Sequence, residues 1–83
     1  MEEEVGRVAH YFSHLLVAVV DVTKGILNVG DTIHIKGYTS DFTQKIESMQ
    51  VEHASIESAK AGQSVGLKVK DPVREHDVIY KVS

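Results

Sequence analysis

Eighty-three residues without a cysteine, at a formal charge of −3, make one small domain that can hold neither a disulfide framework nor a thiolate metal cage. Twelve acidic against nine basic residues argue against DNA or a strong nonspecific grip on nucleic acid, because such binders owe most of their affinity to a basic face. The longest apolar run, Leu15 to Val20, has the length of a strand and not the ~20 residues of a membrane helix. The Met1-Glu2-Glu3-Glu4 start is the opposite of a secretory leader. The expectation is a cytoplasmic protein with no membrane partner, a disordered acidic terminus over 1–4 and one domain over 5–83.

Val5 to Phe12 is rich in β-formers but alternates poorly, and predicts a first strand. Ser13 and His14 mark a turn. Leu15 to Val22 is dominated by valine, which suits a strand covered on both faces and disfavours a helix, where branched side chains lose rotamer freedom. Thr23-Lys24-Gly25 turns the chain, Ile26, Leu27 and Val29 lie between glycines, and Gly30-Asp31 is a strong turn pair. Thr32 to Lys36 alternates with Ile33 and Ile35 inward, and Gly37 to Asp41 has the composition of a hairpin loop. Phe42 to Val51 predicts a longer strand whose inward set shifts from Ile46 to Met49 and Val51, as a bulge would cause. Glu52 to Gln63 is irregular, with Ile56 and Ala59 inward and one helical turn ended by Gly62. Ser64 to Lys70 alternates again, Asp71-Pro72 breaks it, Val73 anchors the loop, and Val78 to Val82 is the last strand.

Short strands separated by turn signals predict an all-β domain, and closure into a six- or seven-stranded barrel would remove its exposed edges. No internal repeat stands out. Gly25 and Gly30 bend the chain around Leu27, Asp31 can accept hydrogen bonds from turn amides, Gly37 opens a hairpin loop, and Gly62 and Gly66 are expected where a Cβ would clash.

Several tempting chemistries fail on inspection. Gly25 to Thr32 imitates a phosphate-binding loop, but Asp31 stands where the lysine should be and a strand follows where a helix is needed. Nucleotide is therefore excluded as a ligand. His10 and His14 are about 13 Å apart on a continuous strand, too far for one metal ion. His34 is expected to face outward, and His53 and His76 fall in loops beside acids, where His76 and Asp77 could form a composite site. No cysteine nucleophile, serine elbow or convergent pair among Glu47, Glu52 and Glu57 is visible. The chain is expected to be no enzyme and to use no cofactor or metal.

Six short pieces follow one another along nearly the whole chain: Val5-Gly6-Arg7-Val8, Gly25 to Asp31, Ile33 to Gly37, Lys45 to Met49, Ala61 to Leu67 and Asp77 to Tyr80. In this order they resemble the second, β-barrel domain of translation GTPases of the elongation factor Tu and initiation factor two type. The GTP-hydrolysing domain has no counterpart in these residues. The resemblance implies a noncatalytic adaptor docking on a ribosomal or other RNA–protein target. The alternative is a protein-interaction subunit of a larger enzyme, such as a collagenase-like peptidase or an RNA-modifying enzyme. The candidate surface for either partner is Arg7, His10, Tyr11, Phe12 and His14, joined by Lys36 and Tyr38, since arginine and aromatic rings serve both base stacking and protein interfaces. A second group, Lys60, Lys68, Lys70, Arg74 and Lys81, is interleaved with Asp71, Glu75 and Asp77 and reads as an ordinary solvated face.

Overall fold

The computed structural model describes residues 2–38, 40–52 and 54–82. All its regular structure is β: β1 (Glu2–Phe12), β2 (Val17–Val22), β3 (Ile26–Asn28), β4 (Thr32–Lys36), β5 (Asp41–Lys45), β6 (Met49–Val51), β7 (Ala54–Ile56), β8 (Ser58–Lys60), β9 (Ser64–Lys68) and β10 (Val78–Val82). Eight strands form one sheet in the order β5-β4-β10-β1-β2-β9-β6-β7, and β3 pairs with β8 in a separate ribbon. Every strand pairing is antiparallel.

The end strands β5 and β7 do not pair with each other, so the expected closed barrel of six or seven strands is replaced by an open, coiled sheet plus a ribbon. The reason lies between Lys45 and Met49, where the expected long strand is broken. Ile46 is buried, its amide bonds to the Asp31 carbonyl at 2.8 Å, and its carbonyl accepts from Gly30 at 2.8 Å. The chain thereby leaves β5 at one edge of the sheet and reappears as β6 near the other. Gln44 spans the gap with its side chain. Its Nε2 donates to the Lys68 carbonyl at 2.8 Å, and its Oε1 accepts from the Lys70 amide at 2.9 Å.

Two further expectations are corrected. The helical turn before Gly62 is absent. Ser58 to Lys60 instead pair with Asn28 to Ile26, which sets Leu27 opposite Ala59, both buried. Leu15 and Leu16 belong to the β1–β2 turn, and β2 buries one face only, through Ala18, Val20 and Val22. The irregular pattern of β1 has its cause in two register shifts, between Glu4 and Gly6 and between Val8 and His10. At the first, the Val5 carbonyl turns away to accept from Thr23 and Lys24. Glu2, Glu3 and Glu4 pair with Val82, Lys81 and Tyr80, where a sheet neighbour is available to satisfy their backbone.

Candidate functional site

The outer face of the sheet carries a row in which Arg7 lies opposite Val78 and Val78 opposite Lys36. Residues directly opposite in antiparallel strands share a face, so Arg7 and Lys36 point to the same side. Beyond Lys36, Tyr38 is fully exposed in the β4–β5 loop, and Lys36 and Tyr38 line a shallow depression with Arg74, Glu75 and His76. His10 joins this end through Glu75, its Nδ1 3.1 Å from Oε2. Arg7 is engaged with Glu4 at 3.9 Å.

The remaining candidates on β1 divide between the two faces. Tyr11 packs against the core, whereas His10 and Phe12 form an edge-on ring pair with centroids 4.6 Å apart on the exposed side. His14 lies in the turn beyond them and is exposed. The structure thus places Arg7, Lys36 and Tyr38 at one end and Phe12 and His14 at the β1–β2 tip, with His10 touching both, while Tyr11 leaves the group for the core.

His34 does not stand free. Its Nδ1 lies 2.7 Å from Glu2 Oε2 and its Nε2 lies 2.5 Å from Asp41 Oδ1. The bond to Asp41 raises its pKa above the ordinary 6.5, Glu2 adds to the rise, and burial opposes it. Because its two nitrogens face opposite partners, this is a clamp between β1, β4 and β5. Among the described residues no three histidine, aspartate or glutamate side chains converge for a metal ion. The His76–Asp77 site does not form: His76 is exposed, while the Asp77 carboxylate turns inward, against Gly37, to accept from the Arg74 amide at 3.0 Å. His53 lies outside the described residues.

Of the turn positions, Gly25, Gly30 and Gly62 have positive φ, whereas Gly37 and Gly66 do not. The clash expected at Gly62 and Gly66 is absent. The space around Gly62 is open, and at Gly66 a Cβ would meet only ordinary contact with Val17 at 3.4 Å. Two glycines are crowded: at Gly37 a Cβ would run into the Asp77 carboxylate, and at Gly6 into the Asp21 backbone carbonyl. Asp31 Oδ2 accepts from the Asn28 amide at 2.8 Å and meets Lys81 Nζ at 3.2 Å. The second basic group does not act as one surface: Lys81 is occupied by Asp31, Arg74 sits beside Tyr38, and Lys68 and Lys70 border a cleft with Lys45 and Leu16. That cleft went unread because its walls come from three separate parts of the chain.

No protein-family model matches the chain. It is 38% identical over 78 residues to an uncharacterized protease of Methanocaldococcus jannaschii and, at the same identity and length, to a collagenase of Porphyromonas gingivalis. Each match covers 93% of this chain but 19% and 22% of those relatives, so the chain spans about a fifth of their length. Two crystal structures of the C-terminal domain of a Geobacillus thermoleovorans protein assigned as a U32 peptidase superpose on it. One has a TM-score of 0.87 at 28% identity, covering 93% of this chain and 96% of that one. The other has a TM-score of 0.89 at 27% identity, covering 98% and 93%. These findings overturn the resemblance to translation factors, which rested on six short pieces whose turn glycines and branched apolar residues any small β-domain with tight turns can share. This chain is thus similar to a stretch of a protease and of a collagenase, and to the C-terminal domain of a protein assigned as a U32 peptidase.

Proposed function

We propose that the chain acts as a noncatalytic accessory domain of a collagenase-like peptidase, holding a protein partner or substrate for chemistry performed elsewhere. The observation that carries this reading is the match itself: nearly all of this chain corresponds to about a fifth of a protease and of a collagenase, and its fold recurs as a C-terminal domain. The side chains agree with it. His34 is clamped between two carboxylates, His10 is turned to Glu75, and the Ser64 hydroxyl donates to the Asp21 carboxylate.

The test is a chimaera. The matching segment of the Porphyromonas gingivalis collagenase is deleted, or replaced by this chain, and collagen and gelatin cleavage are measured. Loss of cleavage on deletion, its return with this chain, and no cleavage by this chain alone are expected. Undiminished cleavage after deletion, or cleavage by the isolated chain, overturns the proposal.

A further inference from the structure

The β1–β2 turn, Ser13-His14-Leu15-Leu16, is chemically odd for a hairpin tip. Leu15 is 64% exposed and Leu16 40% exposed. Leu16 also sits at φ 55°, a left-handed conformation that costs a residue with a Cβ about 1–2 kcal/mol and that glycine or asparagine takes more readily. The fold holds the strain in place, since the Leu16 carbonyl accepts from the Val69 amide at 2.9 Å. Folding alone asks for neither leucine, and strain of this kind gathers where a surface is put to use.

Leu16 forms one wall of a cleft floored by Val69 and bordered by Gln44, Lys45, Lys68 and Lys70. Lys68 also borders the neighbouring depression on the Leu15 side of the tip. Among the described residues none of these three lysines makes an ion pair, and Glu47 is the one acid lining the cleft. A chain of net charge −3 therefore gathers three cations without carboxylate partners around exposed aliphatic side chains, the Lys70 ammonium lying 5.9 Å from the centroid of the Phe42 ring. Lysines that merely guard the open edge of β5 would need no leucines beside them. Nucleic acid is the poorer fit, because bases stack on aromatic rings or guanidinium planes and this cleft offers aliphatic walls and ammonium groups.

We infer that this cleft binds an extended acidic segment of a protein, with an aliphatic side chain against Leu16 and Val69 and carboxylates meeting Lys45, Lys68 and Lys70. The accessory-domain reading underlies the choice of a protein as partner, while the position of the surface rests on the cleft itself.

The test is a heteronuclear NMR titration of this chain with a short synthetic peptide of alternating glutamate and leucine. Serine–leucine and lysine–leucine peptides and an oligouridylate serve as comparisons. Shifts confined to Leu15–Val17, Gln44–Lys45 and Lys68–Lys70, with the acidic peptide tightest, are expected. Reversing two charges, Lys68→Glu with Lys70→Glu, is expected to weaken binding at least about tenfold. Leu16→Gly should weaken binding while raising the thermal midpoint, a combination that a purely structural leucine would not give. Equal binding of all three peptides, binding of oligouridylate alone, shifts elsewhere, or unchanged affinity in Leu16→Gly overturns the inference. An inactive chimaera with intact acidic-peptide binding removes the accessory reading and leaves the cleft. An active chimaera with no acidic-peptide binding does the reverse.

Discussion

Asp31 and Asp77 occupy equivalent places one residue before β4 and β10, and each folds back on the turn that leads to it. The Asp31 carboxylate accepts from the Asn28 amide at 2.8 Å and its own amide donates to the Asn28 carbonyl at 3.0 Å; for Asp77 and Arg74 the distances are 3.0 and 3.2 Å. The third residue of each turn has positive φ, Gly30 at 97° and His76 at 76°. β4 and β10 then pair antiparallel, Lys36 with Val78 and Thr32 with Val82, so the two turns lie at opposite ends of one strand pair in an approximate two-fold arrangement. Asp77 is buried and Asp31 only partly so. Replacing Asp77 by alanine is expected to cost about 2–3 kcal/mol and Asp31 by alanine about 1 kcal/mol, measured by denaturant unfolding.

His76 takes the place that Gly30 holds in the other turn. His76→Gly is expected to raise stability by about 0.5–1 kcal/mol, the relief of left-handed strain less the entropy glycine adds to the unfolded chain. Gly30→Ala should lower stability by about 1 kcal/mol. Thermal unfolding of both variants checks the pair of opposite signs.

Gly6 and Gly66 should behave differently. A Cβ on Gly6 meets the backbone of Asp21, which cannot rotate aside, so Gly6→Ala is expected to cost about 2–3 kcal/mol. Gly66→Ala has room beside Val17 and should stay within about 0.5 kcal/mol. Equal losses in denaturation would contradict the register of β1 against β2.

The His34 clamp makes stability depend on pH. With its folded pKa raised above 6.5, chiefly by Asp41, the stabilisation from His34 is fully present below the unfolded value and is lost as pH rises through the folded one. The Asp41 carboxyl is lowered from 3.8 by the same bond, so its share is present above that value and fades as pH falls through its folded pKa. The thermal midpoint should therefore be highest between these limits. His34→Asn should flatten the decline on the alkaline side, and Asp41→Asn should move the His34 titration, followed by NMR, to lower pH.

Gln44 joins the edge of β5 to the end of β9 through two hydrogen bonds to backbone. Gln44→Ala is expected to cost about 1–2 kcal/mol and to speed amide exchange at Lys70, whose N–H loses its acceptor. Unchanged exchange at Lys70 would show that the bridge does not hold the gap.

The all-β class was legible because Thr32 to Lys36 and Ser64 to Lys68 alternate, and their inward residues Ile33, Ile35, Val65 and Leu67 are buried. The broken strand after Lys45 was not legible, since Ile46 leaves the ladder to bond to Gly30 and Asp31. The residues expected to share one surface were named from their types alone, and the structure does not set them all on one face. Tyr11 turned to the core, and Leu15 and Leu16, read as the start of a strand, became an exposed tip.

By itself the sequence determined the local facts: the alternation, the Gly30-Asp31 turn and the absence of cysteine chemistry, all carried by neighbours along the chain. The tertiary structure decided the open sheet, the clamp on His34 and the lysine cleft beside Leu16. These depend on pairings such as Gln44 with Lys68 and His34 with Glu2, which lie 24 and 32 residues apart. Register shifts and chain crossings bring such partners together, and no local periodicity encodes them.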